Sequence, residues 1–288
     1  MSRTIWLLLA SLAPAAVAGE TTPAVDAGAR RTLELFPAGE LYPPYLADLH
    51  RPGFGLVQVH AASTTVDDAG DRRFDLRLGG SFGLLRLRPR DLPDRGWQLD
   101  VVAGFDGQFD VDRSYDNIGW DGNYGLSLVT ARDHGLAFKV GVYHTSSHVG
   151  DEYAERTGRR RIGYTREELV AGLSWTPAAR WRLYAETGWA YDRRNEELQE
   201  PGRLQAGVEH TAPATLWGGR LGWFAAADLS ATEERDRSVD ASIQAGLLVL
   251  SGPRRWRLAA GFYDGRSTLG EFFQDDERFL TLGLWLDL

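Results

Sequence analysis

The chain has 288 residues, a net charge of −8 and no cysteine, which excludes a disulfide scaffold and a lipid-anchored lipoprotein. Charges of both signs are spread along it without a basic block, so nucleic acid is not expected as a partner. Hydrophobic content is ordinary at 43%, but glycine (33) and tryptophan (10) are abundant, which suits the strands of a transmembrane barrel or a secreted sandwich and not a helical membrane protein.

The first residues set the compartment. Arg3 supplies a positive start, an apolar run follows from Ile5 to Ala10 and persists to Val17, and Ala16-Val17-Ala18 offers small residues for cleavage after Ala18. Residues 1–18 therefore read as an export signal peptide, the apolar run being too short to span a bilayer as a helix. Residues 19–50 show no period and are rich in proline around Pro37, Pro43 and Pro44. They read as an extended periplasmic lead-in.

From 51 to 288 the chain reads as one barrel domain, because a period of two begins at Phe54 and recurs. It predicts strands near 54–63, 72–88, 97–109, 122–131, 135–146, 163–175, 181–191, 203–211, 217–230, 239–250, 255–264 and 278–288. In the third, Trp97, Leu99, Val101, Ala103 and Phe105 alternate with Gln98, Asp100 and Asp106. In the tenth, Val239, Ala241, Ile243, Ala245 and Leu247 alternate with Asp240, Ser242 and Gln244. A soluble sandwich has one buried face too and would alternate likewise.

The connections break the tie. They are long and polar at 64–71, 110–121, 147–162, 192–202, 231–238 and 265–277. They are short at 132–134, 176–180, 212–216 and 251–254, with 89–96 intermediate. Short periplasmic turns alternating with long outer loops give this rhythm. Trp175, Trp181, Trp217 and Trp256 fall beside the short turns, where an interfacial girdle belongs. Twelve antiparallel strands in an up-and-down transmembrane barrel is the expected fold, with both chain ends in the periplasm. The closing Leu282-Gly283-Leu284-Trp285-Leu286-Asp287-Leu288 resembles the terminal-strand signal of outer-membrane proteins, though without a terminal aromatic, and implies the barrel-assembly machinery as a partner during biogenesis.

The polar faces carry Asp75, Arg77, Asp100, Asp106, Arg182, Glu186, Glu209, Arg220, Asp228, Asp240 and Arg257. Mixed signs predict pairing across the lumen and do not define a selectivity ring. The fifth segment looks like chemistry. Leu136, Phe138, Val140 and Val142 mark its outward face, and His144 and Ser146 continue that row toward the long loop. In the sixth, Leu169, Ala171, Leu173 and Trp175 mark the outward face, which Glu167 and Thr165 share. A register placing His144 opposite Glu167 would gather Ser146 as nucleophile, His144 as base and Glu167 as orienting carboxylate. An ordinary alternative has these residues only meeting headgroups where the strand leaves the membrane.

The His-x-Ser pair His144-Thr145-Ser146, with Glu167 on the next strand, resembles the arrangement in two outer-membrane lipid hydrolases, phospholipase A and the lipid A 3-O-deacylase. That resemblance implies a lipid ester as substrate and calcium as a cofactor to consider. The sequence departs from them in having Ser147 and His148 after the serine and a longer loop before Glu167. A wider resemblance is to an uncharacterised family of Gram-negative exported proteins of unknown function. It lies in the runs 36–42, 143–153 and 164–169 and in Ala47-Asp48. It implies a similar fold and carries no activity.

Two further features have polar roles. The loop 110–123 holds Asp110, Asp112, Asp116, Asn117, Asp121 and Asn123, an oxygen-rich set for calcium or a run of ordinary turn formers. Arg159-Arg160-Arg161 are placed to meet lipopolysaccharide phosphates or solvent. The expected function is hydrolysis of a phospholipid or lipid A acyl ester in the outer leaflet. The competing expectation is a non-enzymatic barrel, either a narrow channel for a small polar solute or a structural one.

Overall fold

The computed structural model describes residues 31–212, 214–251 and 254–287, so the expected signal peptide and residues 19–30 lie outside the described residues. The described residues contain β1 (Arg31–Leu35), β2 (Phe54–Thr64), β3 (Arg72–Pro89), β4 (Gly96–Asp110), β5 (Asp116–Ala131), β6 (Leu136–Val149) and β7 (Thr165–Ala178). There follow β8 (Trp181–Arg193), β9 (Gly202–Thr211), β10 (Leu221–Thr232), β11 (Val239–Ser251), β12 (Arg254–Arg266) and β13 (Asp276–Asp287), with one helix, α1 (Asp151–Thr157).

Each strand from β2 to β13 pairs antiparallel with the next, and β13 pairs back to β2, which closes a twelve-stranded transmembrane barrel as expected. The alternation decides which face is which. On β6, Phe138, Val140 and Val142 are exposed while Ala137 and Tyr143 are buried. Large apolar residues thus line the outside, the inverse of a soluble sandwich. Trp175, Trp181 and Trp256 are exposed at the short-turn end, and Trp217 sits in the turn itself with φ of 50°. The start of the ninth predicted strand, placed at 217, shifts accordingly to Leu221. Residues 217–220 form a turn, and Arg220, expected in the lumen, is exposed there because it precedes the first ladder residue Leu221.

The lead-in is not extended chain ahead of the barrel. β1 pairs with β3 at 85–89 and β2 pairs with the same edge at 72–77, so one wall position is made by two separate segments. Between them residues 36–53 leave the wall and run into the lumen, with a cavity of about 340 Å³ left between Pro43, Leu46 and the wall at Arg257 and Trp285. Leu46, Ala47 and Leu49 pack with Val57, Phe224, Leu248 and Trp285, while Leu41, Tyr42 and Tyr45 pack with Val129, Ala137 and Tyr184. Two of the buried apolar clusters are therefore the interface between wall and plug, and a third, with Ile118, Val149, Tyr153 and Phe272, lies at the long-loop end. Glycines let the plug pass close to the wall. A Cβ at Gly83 would lie 2.8 Å from Pro37, and one at Gly104 would lie 2.3 Å from Pro52.

The plug shows no period because it has no ladder, and its backbone needs other partners. Wall arginines supply them. Arg86 donates to the Gly39 carbonyl at 2.7 Å, Arg182 to that of Pro43 at 2.6 Å, and Arg77 to those of Leu49 and Arg51 at 2.7 and 2.9 Å. Glu209 accepts the Leu46 N–H at 2.7 Å. Glu186, its side chain fully buried, binds Arg51, Lys139 and Arg203 and accepts the Tyr45 hydroxyl at 3.0 Å. Several of the mixed interior charges pair, as in Arg77–Asp106 at 2.8 Å and Arg266–Asp240 at 3.1 Å, while Asp100 accepts from Gln98 and Asp228 from Tyr184 and Gln205. At the long-loop end Tyr153 of α1 and Phe272 and Phe273 of the 267–275 loop are buried, and the Glu271 carboxylate accepts the backbone N–H groups of Ile162, Gly163 and Tyr164.

Candidate active site

β6 runs between β5 and β7, and its register sets the site. Tyr124, His144 and Glu167 stand opposite one another across the three strands, and so do Gly122, Ser146 and Thr165 one step toward the long loops. All continue the outward rows of Val140, Val142 and Leu169, which are exposed. The register supposed from sequence, His144 facing Glu167, is the one present.

His144 Nδ1 lies 2.5 Å from Glu167 Oε1, and the ring stacks on Tyr124 with centroids 4.3 Å apart and planes at 20°. The two contacts fix the imidazole plane between aromatic and carboxylate and leave Nε2 as the nitrogen for a reacting group. The His144 and Glu167 side chains are 14% and 30% exposed, so the pair is partly shielded without being buried. Ser146 is the next outward residue on β6. Its hydroxyl has no hydrogen-bond partner among the described residues, His144 included, so it is uncommitted. Gly122 opens space beside it, since a Cβ there would lie 3.4 Å from Ser146 Oγ. Thr165, cross-strand from Ser146, likewise has a hydroxyl without a partner among the described residues. Beyond them His148 stacks on Trp120 with centroids 4.1 Å apart, and Trp120 on Phe105, so aromatic rings flank the site on its loop side.

Ser147 and His148 belong to the strand and not to the loop in which the sequence placed them. The alternation sends Ser147 inward, where it is buried, donates to Asp121 and accepts the Glu271 N–H at 2.8 Å. Its role is to tie the loop 267–275 to the wall. The sequence carried that signal only as the parity of the serine relative to Val142.

The carboxylates of the oxygen-rich loop have partners within the protein. Asp110 accepts from the N–H groups of Gly70 and Asp112 and from Arg113, Asp116 faces Arg156, and Asp121 holds Ser147 and Gly270. Arg72 donates to Asp112 and holds its carboxyl below the usual range. With these oxygens committed, the described residues contain no group of three or more His, Cys, Asp or Glu able to hold a metal ion. In the arginine run, Arg159 pairs with Asp275 at 2.6 Å and Arg161 with Asp151, while Arg160 is exposed.

A family model described as "Protein of unknown function (DUF1207)" matches residues 13–287. The chain belongs to that family. No curated protein matches it. Among solved structures, outer membrane phospholipase A from Escherichia coli is similar at 12% identity with a TM-score of 0.57, over 82% of this chain and 89% of that one. The Salmonella typhi outer membrane phospholipase, solved as a dimer with bound calcium, is similar at 11% identity with a TM-score of 0.55, over 85% and 94%. LpxR from Salmonella typhimurium aligns at 11% identity with a TM-score of 0.41, over 80% and 98%. At such identities the first two likenesses bear on the fold: the DUF1207 chain is an outer-membrane type of barrel.

Proposed function

We propose that this barrel sits in the outer membrane and hydrolyses an acyl ester of a lipid in the outer leaflet. The observation that carries the reading is the His144–Glu167 pair on the outward face, two residues along β6 from the uncommitted Ser146 hydroxyl. Ser146 Oγ attacks the ester carbonyl as His144 Nε2 takes its proton, and Glu167 at Nδ1 stabilises the imidazolium. Collapse of the tetrahedral intermediate expels the alcohol, which receives that proton. Water, deprotonated by the same histidine, then releases the fatty acid and restores Ser146. Thr165, directly across from Ser146, is placed to donate to the developing oxyanion. The proton transfer requires Ser146 Oγ to come within hydrogen-bond reach of His144 Nε2, a contact of the kind that often tightens only when substrate binds.

The substrate class follows from position, since the site faces outward at the border between the apolar band and the polar loops. Both phospholipid and lipid A present acyl esters at that depth. A solute channel is disfavoured by the plug, whose side chains occupy the lumen and are held by wall ion pairs.

The test is release of fatty acid from phospholipid and from lipid A in mixed micelles, with and without calcium. Ser146→Ala abolishes release, whereas Ser147→Ala, which loosens a loop, retains it. Heat-modifiable mobility on a gel verifies that each variant is folded. Absence of any Ser146-dependent release from the folded protein overturns the reading.

A further inference from the structure

Directly membrane-ward of the pair, the outer surface of the barrel carries a shallow, open depression of about 630 Å³, over β5, β6, β7 and β8 with Leu99 of β4 at its edge. Its levels follow from the register. Beside the pair stand Leu126, Val142, Leu169 and Trp189; at the next level are Leu128, Val140, Ala171 and Thr187. The first level is bulky throughout. At the second, β7 and β8 contribute only Ala171 and Thr187, so a trough opens between the Val140–Leu128 side and Trp189, before Leu173 raises the surface again.

The length of this path can be compared with a lipid. From Ser146 to Val140 is six residues, about 20 Å along a strand. Tilted by about 45°, that covers about 14 Å of depth, close to the ~15 Å that one leaflet contributes to a ~30 Å hydrocarbon core. A chain whose ester is at Ser146 thus passes over the first level and meets the trough with the methylenes that lie near the middle of the membrane. The trough is lined by apolar and small side chains, which excludes a polar headgroup as its occupant.

We propose that this groove is the acyl-chain site of the lipid whose ester reaches Ser146, and that the small side chains of Ala171 and Thr187 set the length of chain accepted. The inference rests on the hydrolase reading for the reacting end and on the groove for the chain. Substituting Ala171→Trp fills the trough and leaves the pair and Ser146 untouched. With the full chain in micelles, activity on palmitoyl esters falls by about tenfold or more while activity on butanoyl esters is kept, the scale expected when a few methylenes lose their pocket. Thr187→Leu gives a smaller shift in the same direction, which covers the case in which Ala171→Trp fails to fold.

A second readout does not depend on turnover. The Ser146→Ala protein, in vesicles carrying a phospholipid with a photoreactive diazirine near the chain end, is labelled preferentially on the peptides containing Ala171 and Thr187. Uniform labelling of the outward face, together with an unchanged chain-length profile in Ala171→Trp, overturns the acyl-chain site while leaving hydrolysis intact. Preferential labelling without hydrolysis by the unsubstituted protein overturns the hydrolase reading and leaves the site standing.

Discussion

Glu167→Gln tests the His144–Glu167 pair most directly. Gln keeps the shape, and its amide oxygen can still accept from His144 Nδ1, so what is lost is the negative charge. A hydrogen bond to a charged group contributes about 1.5–3 kcal/mol and a neutral one about 1 kcal/mol. Glu167 is 30% exposed, so solvent screening keeps the charged bond near ~2 kcal/mol and the charge alone accounts for about 1 kcal/mol. At 1.36 kcal/mol per decade, kcat for fatty-acid release falls about fivefold. KM stays within about twofold, because the charge acts on an imidazolium that exists only after proton transfer. In a His144→Ala background the same substitution adds less than about twofold, since the two residues act as a unit. The assay is steady-state release in mixed micelles over a range of lipid concentration. A Glu167→Gln protein as fast as the parent, or an undiminished effect of the substitution in the His144→Ala background, refutes the assigned role.

Two predictions concern the plug. Glu186→Ala leaves Arg51, Lys139 and Arg203 sharing a buried site without their common carboxylate, and removing one partner of such a network costs about 3–5 kcal/mol; the temperature of the heat-modifiable gel shift falls, and an unchanged shift contradicts the plug's anchoring. His50 lies in the plug, where burial first and then the Arg266 charge pull its pKa down to about 3. Its folded-state pKa is below the ordinary 6.5, so its contribution to stability is present above 6.5 and is lost as pH falls toward 3. NMR of selectively labelled histidine in micelles reads this directly, and a His50 titrating near 6.5 refutes its burial.

The sequence by itself determined the barrel. Alternation with a period of two set strand positions and faces, and the rhythm of short and long connections separated a membrane barrel from a sandwich, because both are local properties of the chain. It also placed His144, Ser146 and Glu167 on outward rows, since parity within a strand follows from counting residues from Val142 and Leu169. Cross-strand register is not local. That Glu167 rather than Thr165 faces His144 depends on how β6 and β7 slide against each other around α1, and only the folded hairpin decided it. The plug was illegible for the same reason in stronger form: residues 36–53 have no period because their partners, Glu186, Arg77, Arg182 and Glu209, lie on strands far away in the chain. Such a segment reads as a loop until the tertiary structure supplies the groups that satisfy its backbone. The groove over Ala171 and Thr187 is likewise a tertiary property, made by two small residues that are neighbours only because β7 and β8 pair.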